Sequence, residues 1–278
     1  RATELPALTR FDDEATTVSP SDADVEIRTG EGNTLCARLV AGADGRLSLC
    51  REAAGIAVKR RELDQAALTF NVSHSRPHRN ISTEFHAPQG PRVFVPLPGD
   101  RCSVVWVAAP NEAARLMGLN DDELSDAAET QSHSIFGRIR VGPGRHLFPL
   151  SIEQPTQFAQ HRVALVGEAA HVIPPIGAQG LNMGLRDAAD VADIVRDAML
   201  SGEDPGTPRV LKRYDLARRA DVSSRTFAID IANRSLLSDF LPVQSLRAAG
   251  LHLIGAFGPL RRLAMREGLA PSWRATRR

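Results

Sequence analysis

The chain has 278 residues, which is long enough to bury a sizeable core in one large domain or two modest ones. Its net charge of +1 gives no overall positive field of the kind that binds nucleic acid, so we expect no nucleic-acid partner. Three widely spaced cysteines without a CxxC pair argue against a disulfide framework. They favour a reducing compartment, so we expect a cytoplasmic protein.

The first part of the chain predicts β-structure and one short helix. Three short strands are expected, at residues 16–18, 25–28 and 35–40. Asp44-Gly45 follows them, and this pair alone would indicate a hairpin turn. Ser48 is expected to cap a short helix that stops at Gly55. Arg51 either pairs with Asp44, reaches a phosphate, or lies on the helix surface.

Longer strands follow, separated by proline-containing turns. They are expected at residues 66–73, 80–86, 93–97, 102–108 and 145–150, and helices are expected at 111–119 and 121–134. This pattern predicts an antiparallel sheet in a second domain. Four aromatic residues on it fit the core better than a ligand site: Phe70, Phe85, Phe94 and Trp106. His74 and His78 do not suggest a metal site, because Pro77 breaks any helix that would align them.

A stretch late in the chain predicts a strand, a loop rich in glycine and proline, and a long helix. Residues 163–166 form a continuous apolar run, typical of a strand buried in a parallel sheet. Gly167 and Glu168 follow at its carboxyl end, where open α/β sheets bind ligands. Pro174 and Pro175 stiffen the loop.

The end of this loop has the features of a site for a flat ligand. Gly177 and Gly180 would let such a ligand approach the backbone closely. The amides from Gly180 to Asn182 open the helix and are candidates to bind an electron-rich atom. Apolar residues then recur at steps of three and four, which predicts one buried helical face: Leu181, Leu185, Ala188, Ala192, Val195 and Met199.

The C-terminal region is helical and basic. A helix is expected to begin at Thr207 or Pro208, and helical structure to continue to about Arg266 with breaks near Pro242 and Gly258-Pro259. Residues 241–278 carry seven Arg against one Glu, together with regularly spaced apolar residues. This segment is either a packed helix with a solvated face or a docking surface for an anionic membrane or a partner protein. The second alternative would place the protein on the inner face of a membrane.

The stretch Arg38-Leu-Val-Ala-Gly-Ala-Asp44-Gly45-Arg46 and the stretch from Val163 to Asp187 occur in this order, about 120 residues apart. Together they resemble the paired late flavin motifs of the aromatic-hydroxylase flavoprotein family (p-hydroxybenzoate hydroxylase-like). The wording of the second stretch is most similar to that of the ubiquinone-biosynthesis hydroxylases. The resemblance covers nearly the whole chain.

The resemblance implies an α/β fold with three parts. A truncated Rossmann-like FAD-binding domain would comprise residues 1–55 and 151–205, an antiparallel substrate-binding sheet 56–150, and C-terminal helices 206–278. In the family a GxGxxG fingerprint opens the fold and binds the adenosine half of FAD. This chain begins at Arg1 without that fingerprint. We therefore expect a missing N-terminal segment of roughly a hundred residues, and a chain that is inactive and without flavin on its own.

The resemblance also implies a cofactor and roles for particular residues. FAD would meet Asp44 and Gly45 near its ribityl chain, and Gly167 and Glu168 at a ribityl hydroxyl, where the family more often has Asp. The other residues implied as cofactor contacts are Pro174, Pro175, Gly177, Gln179, Gly180, Leu181 and Asn182. The implied enzyme is an NAD(P)H-dependent monooxygenase that uses O2 to hydroxylate a polyprenylated phenol.

The sequence leaves the chemistry of the substrate open. No base for the phenol is identified, although Glu84 and His86 lie on a strand of the predicted substrate sheet. One alternative is a related flavin oxidoreductase with another substrate. The other is a non-catalytic scaffold that binds partners without FAD.

Overall fold

The computed structural model describes residues 5–87, 90–175, 179–237, 249–250 and 252–269. Its strands are β1 (Ala15–Pro20), β2 (Val25–Thr29), β3 (Thr34–Ala37), β4 (Val40–Gly42), β5 (Val58–His74), β6 (Thr83–Ala87), β7 (Gly90–Leu97), β8 (Arg101–Ala108), β9 (Ile139–Val141), β10 (His146–Pro155), β11 (Ala159–Gln160) and β12 (Val163–Leu165). Its helices are α1 (Leu49–Ala53), α2 (Pro110–Met117), α3 (Asp121–Gln131), α4 (Gln179–Leu200), α5 (Pro208–Leu237) and α6 (Gly258–Leu269), with a 3-10 turn at Gly167–Ala169.

The chain folds into two compact units. The first unit comprises Arg1–Arg60, Glu153–Val172 and Gly180–Arg225. The second unit comprises Arg61–Ile152, Ile173–Gln179 and Thr226–Arg278. The predicted class is confirmed, because antiparallel sheets are combined with a parallel strand pair and with long helices after residue 178.

The first unit contains two three-stranded sheets. Strands β1, β2 and β3 form an antiparallel meander. The second sheet has the order β11-β12-β4, and β12 runs parallel to β4. The expected single strand over residues 35–40 is wrong, because the chain leaves the meander after Ala37 and enters the second sheet at Val40. The Arg38 carbonyl between them accepts a hydrogen bond from the Arg162 guanidinium (2.9 Å) instead of a strand neighbour.

The second unit is built on one antiparallel sheet with the order β10-β5-β8-β7-β6, and β9 also pairs with β5. Facing residues of neighbouring strands share a face, and one such row runs Phe85, Arg92, Trp106 and Leu68. On this face the sheet packs with residues of α2 and α3, among them Leu116 and Leu124, and forms the core. The four aromatic residues expected in the core all lie there.

The opposite face of this sheet carries a different row, Glu84, Val93, Val105 and Thr69. His86 lies two residues along β6 from Glu84 and therefore on the same face. Its Nε2 is 3.1 Å from a Glu84 carboxylate oxygen. The two polar residues noted in the sequence thus form a pair on the face that α2 and α3 do not cover.

The boundaries of α2 and α3 follow from their caps. Helix α2 begins at Pro110, one residue before the expected start, and its N-cap Ala109 makes no side-chain cap. Asn120 caps α3 in a reciprocal capping box with Glu123. Helix α3 ends at Gln131 rather than Ser134, because His133 and Ser134 both have positive φ and cannot continue a helix.

The expected buried face of α4 is wrong. Leu181 is 75% exposed and Leu185 is 61% exposed, and Ala188, Ala192 and Met199 are exposed too. The buried residues of α4 are Met183, Arg186, Asp187 and Ala198. The buried face of the helix is therefore partly charged, and the residues that form ion pairs with it lie on α5.

The C-terminal helices agree with the expected pattern where the structure describes them. Helix α5 begins at Pro208, and the chain is again helical over 252–256 and in α6. The non-helical Phe257 stands at the break expected near Gly258-Pro259. Pro242 and residues 270–278 lie outside the described residues. None of the helices in the described part of the chain is long and apolar enough to cross a membrane.

Candidate flavin site

The two motifs that the sequence singled out meet at one edge of a sheet. Strands β4 and β12 are parallel neighbours, and the Val166 amide donates to the Gly42 carbonyl (2.8 Å) just beyond the last pair. Asp44 and Glu168 therefore leave the sheet from the same carboxyl edge. This is where open α/β sheets place ligands. The hairpin alternative for Asp44-Gly45 is excluded, since the pair connects a parallel strand to α1.

Asp44 organises the turn that follows β4. Its carboxylate accepts hydrogen bonds from the Ser48 hydroxyl (2.6 Å) and the Cys50 amide (2.9 Å). Burial acts to raise the pKa of Asp44, but these hydrogen bonds outweigh burial and hold the pKa below its ordinary value. Gly45 has φ of +79° and open space where a Cβ would stand. The turn thus holds a negatively charged carboxylate in a fixed position at the edge of the sheet.

Arg51 of α1 ties this turn to the second motif. Its guanidinium donates to the Ala169 carbonyl (3.0 Å) and to the Arg46 carbonyl (2.7 Å). Neither the pair with Asp44 nor a plain helix-surface position matches this arrangement, and the phosphate role stays a prediction. Because it satisfies two backbone acceptors from segments far apart in sequence, Arg51 fixes the spacing between the Asp44 turn and the Gly167 turn.

The 3-10 turn after β12 brings a glycine against α4. Gly167 has φ of +66°, a conformation that favours glycine. A Cβ added to Gly184 would lie 3.3 Å from the Gly167 Cα, so α4 passes the turn at close range. The Glu168 side chain in this turn is exposed, and within the described residues it has no hydrogen-bond or ion-pair partner. Glu168 is thus available to a ligand at the sheet edge.

Asp187 of α4 stabilises the turn at Gly167. One of its carboxylate oxygens accepts from the Gly167 amide (2.8 Å) and lies 2.8 Å from His171 Nε2. Asp187 is fully buried and His171 is 4% exposed. His171 therefore acts in packing and hydrogen bonding of the loop.

The charge of Asp187 is balanced by α5. Arg218, also fully buried, approaches Asp187 (2.6 Å), Asp190 (2.8 Å) and Asp221 (2.9 Å). Asp221 in turn pairs with Arg186 (3.1 Å) and Arg225 (2.7 Å). Burial acts to raise the pKa of Asp221, but the hydrogen bond from Arg225 and the charges of Arg218 and Arg186 leave it below its ordinary value.

This ionic cluster was missed in the sequence. Its signal was present, since Asp187 and Asp190 on one helix and Arg218 and Asp221 on the other are spaced three residues apart. Those spacings place charged groups on one face of each helix. Pairing two charged faces across a helix–helix contact requires knowing that the helices meet, which the sequence did not show.

Four of the remaining predicted cofactor residues belong to α4. Gln179, Gly180, Leu181 and Asn182 form its first turn, where Gly180 and Leu181 are exposed. Pro174 is buried and Pro175 is half-buried. Gly177 lies outside the described residues.

The described residues of the first unit fit one edge of a flavin. No heavy atom lies within 4 Å of a Cβ built on Gly45, Gly167 or Gly180, so all three backbones are open on the side where a planar group would approach. The N-terminal end of α4 supplies a positive dipole for an electron-rich ring edge. Asp44 and Glu168 supply acceptors for the hydroxyls of a ribityl chain.

The fold is shared with a monooxygenase and a hydroxylase of known structure. The p-nitrophenol 4-monooxygenase PnpA from Pseudomonas putida DLL-E4 superposes with a TM-score of 0.73 at 21% identity, over 94% of this chain and 67% of that chain. The anhydrotetracycline hydroxylase OxyS from Streptomyces rimosus superposes with a TM-score of 0.67 at 21% identity, over 94% of this chain and 52% of that chain.

The sequence comparisons identify the family. The chain belongs to the FAD binding domain family, whose model matches residues 1–227. It is 36% identical to ubiquinone hydroxylase UbiL of Rhodospirillum rubrum, over 97% of this chain and 63% of that protein. It is 32% identical to the 3-demethoxyubiquinol 3-hydroxylase of Escherichia coli (strain K12), over 88% of this chain and 62% of that protein. These matches confirm the resemblance drawn from the two motifs, and the chain spans about three fifths of the length of these relatives.

Proposed function

We propose that this chain is part of an FAD-dependent monooxygenase that hydroxylates the ring of a polyprenylated phenol in ubiquinone biosynthesis. NAD(P)H supplies two electrons, one atom of O2 replaces a ring hydrogen as a hydroxyl group, and the other atom leaves as water. The observation that carries the proposal is the convergence of Asp44, Glu168 and the start of α4 in the first unit. The similarity to two ubiquinone-pathway hydroxylases supports the choice of substrate class.

Bound FAD supplies the redox chemistry and the activation of O2, and the protein supplies binding, orientation and electrostatics. Asp44 and Glu168 hold the ribityl chain by accepting hydrogen bonds from its hydroxyls. The positive end of α4 and the Leu181 amide stabilise negative charge on the ring, a contribution that is typically about 0.3–1 kcal/mol. Asp187 keeps the Gly167 turn in place by accepting a hydrogen bond from the Gly167 amide. Pro174, Pro175, Gly177 and Gln179 are proposed as further cofactor contacts on the family resemblance alone.

A flavin assay tests the proposal against its two alternatives. The full-length protein that contains this chain should purify with bound FAD and should oxidise NAD(P)H faster when a polyprenylated phenol is added. Flavin absorbance with no response to any phenol would favour a different flavin oxidoreductase. A preparation that cannot be loaded with FAD would favour the scaffold alternative.

We also propose that the basic C-terminal region docks on an anionic membrane surface, which would bring the site to a lipid-soluble phenol. Apolar side chains of this region are exposed, among them Leu253, Phe257 and Met265. Arg261 and Arg262 of α6 are exposed beside them. Exposed apolar and cationic side chains on one short segment are typical of helices that lie in a membrane interface.

Vesicle binding tests this docking. The protein should co-sediment with anionic vesicles at low salt and less at high salt, because the attraction is partly electrostatic. Replacing Arg261, Arg262 and Arg266 by Ala should abolish the binding, whereas the matched change of Arg76 and Arg79 to Ala should not. Equal binding to neutral vesicles, or none to either, would contradict the proposal.

A further inference from the structure

Arg92 stands at a core position of the second unit. Its neighbours in the row across the sheet are Phe85 on β6 and Trp106 on β8, both on the face that packs with α2 and α3. Arg92 is half-buried there, and charged side chains are almost never fully buried unless they are paired. Arg92 therefore departs from the apolar pattern that the rest of this row follows, and such departures concentrate at functional sites.

The Arg92 guanidinium has an aromatic neighbour, but among the described residues it forms no ion pair. It lies 5.0 Å from the centre of the Trp106 ring. Its Nε is buried, and in the part of the chain that the structure describes this atom has no hydrogen-bond partner. Glu112 is the nearest candidate, but both of its carboxylate oxygens accept from Arg115 (2.7 and 2.8 Å). Burial lowers the pKa of Arg92, which the charge of Glu112 opposes.

A cavity of about 330 Å³ opens beside this guanidinium. Its apolar wall is formed by Ala87, Leu116, Ala127 and the Trp106 ring, and Gln131 adds an amide. With Glu112 neutralised by Arg115, Arg92 leaves the cavity with one uncompensated positive charge. The volume falls at the lower end of the range for small-molecule sites.

We propose that this cavity binds a small organic carboxylate, whose two oxygens pair with the Arg92 guanidinium and whose apolar body packs against Leu116 and Ala127. A guanidinium stacked on an indole keeps the donors in its own plane free, and these match the two oxygens of a carboxylate. The site is distinct from the residues assigned to the flavin, so it stands or falls apart from the proposed function.

Tryptophan fluorescence provides a direct test, because Trp106 and Trp273 are the two tryptophans of the chain. In a Trp273→Phe background, benzoate at constant ionic strength should change the Trp106 emission in a saturable way. Arg92→Gln should weaken the apparent affinity at least tenfold, and Arg92→Lys should weaken it less. Arg101→Gln, an exposed change on the strand of Trp106, should leave it unaltered. Inorganic phosphate, which has no apolar body, should bind at least tenfold more weakly than benzoate.

A stability measurement provides a second test, in case a variant fails to bind benzoate because it is misfolded. In ligand-free protein, Arg92→Met should raise the melting temperature, because it keeps the stem of the side chain and removes a half-buried charge whose Nε has no hydrogen-bond partner among the described residues. A lower melting temperature would mean that Arg92 is paired internally and would overturn the proposal. So would an absence of saturable benzoate binding, binding that persists in Arg92→Gln, or equal affinity for phosphate.

Discussion

Single glycines decide which groups can approach the flavin site. A side chain at Gly180 would meet no protein atom within 4 Å, so we expect Gly180→Val to fold normally. In the full-length protein the branched side chain would stand where the flavin ring approaches, and flavin content should fall to a small fraction of the normal value. Gly255→Val, another open helical glycine, is the matched control. Normal flavin content in Gly180→Val would show that the ring binds elsewhere.

Asp187 is expected to be the most costly single residue of the first unit to remove. Asp187→Ala leaves Arg218 short of one carboxylate and the Gly167 amide without its acceptor. Breaking a buried ion pair in this way costs about 3–5 kcal/mol of unfolding free energy. Urea denaturation measures the loss. Asp193→Ala on the same helix removes an exposed pair with Arg196 and should change the stability little. Similar effects of the two changes would contradict the role given to the cluster.

The same cluster should make stability depend on pH in the acidic range. The pKa of Asp221 is held below its ordinary value in the folded protein, so the unfolded chain takes up this proton first as pH falls. The stabilisation is complete above the unfolded-state pKa of about 3.9 and is lost as pH falls through the lower folded-state pKa. Unfolding curves from about pH 7 to about pH 3 should therefore show a smaller acid loss in Asp221→Asn than in the wild type. An identical acid loss in both proteins would mean that Asp221 titrates normally.

At the scale of elements, local signals predicted strands well and helix orientation poorly. The continuous apolar run of β12 and the cap of α1 depend on neighbouring residues, and both were predicted near their observed positions. The break between β3 and β4 depends on which sheet each strand joins, which is a long-range property. For α4, counting apolar residues selected the exposed face, because charged residues can be buried when partners such as Arg218 lie opposite.

Substitutions on the two faces of α4 test which face is buried. Met183 is fully buried, and Met183→Ala should cost about 2–5 kcal/mol through the cavity it leaves. Leu185 is mostly exposed in this chain, and Leu185→Gln should change stability by less than about 0.5 kcal/mol. Chemical denaturation of the 278-residue chain gives both values. A larger loss of stability in Leu185→Gln than in Met183→Ala would mean that the face predicted from the sequence is the buried one.

At the scale of the whole molecule, the motifs carried more functional information than the composition did. The net charge argued against a nucleic-acid partner, but neither charge nor length indicated a type of reaction. The Asp44 and Glu168 motifs are separated by more than a hundred residues, and the parallel pairing of β4 with β12 brings them to one edge. The sequence could not show the ionic cluster beneath that edge, nor the half-buried position of Arg92 beside Trp106 in the second unit, because both depend on contacts between distant elements.

The most direct test of the account is isotopic. Full-length protein loaded with FAD would be incubated with NAD(P)H, a polyprenylated phenol and ¹⁸O-labelled dioxygen, and the product analysed by mass spectrometry. The account predicts a product with one labelled oxygen on the ring and consumption of one NAD(P)H for each phenol hydroxylated. Oxidation of NAD(P)H without labelled product, or a product whose new oxygen comes from water, would contradict it.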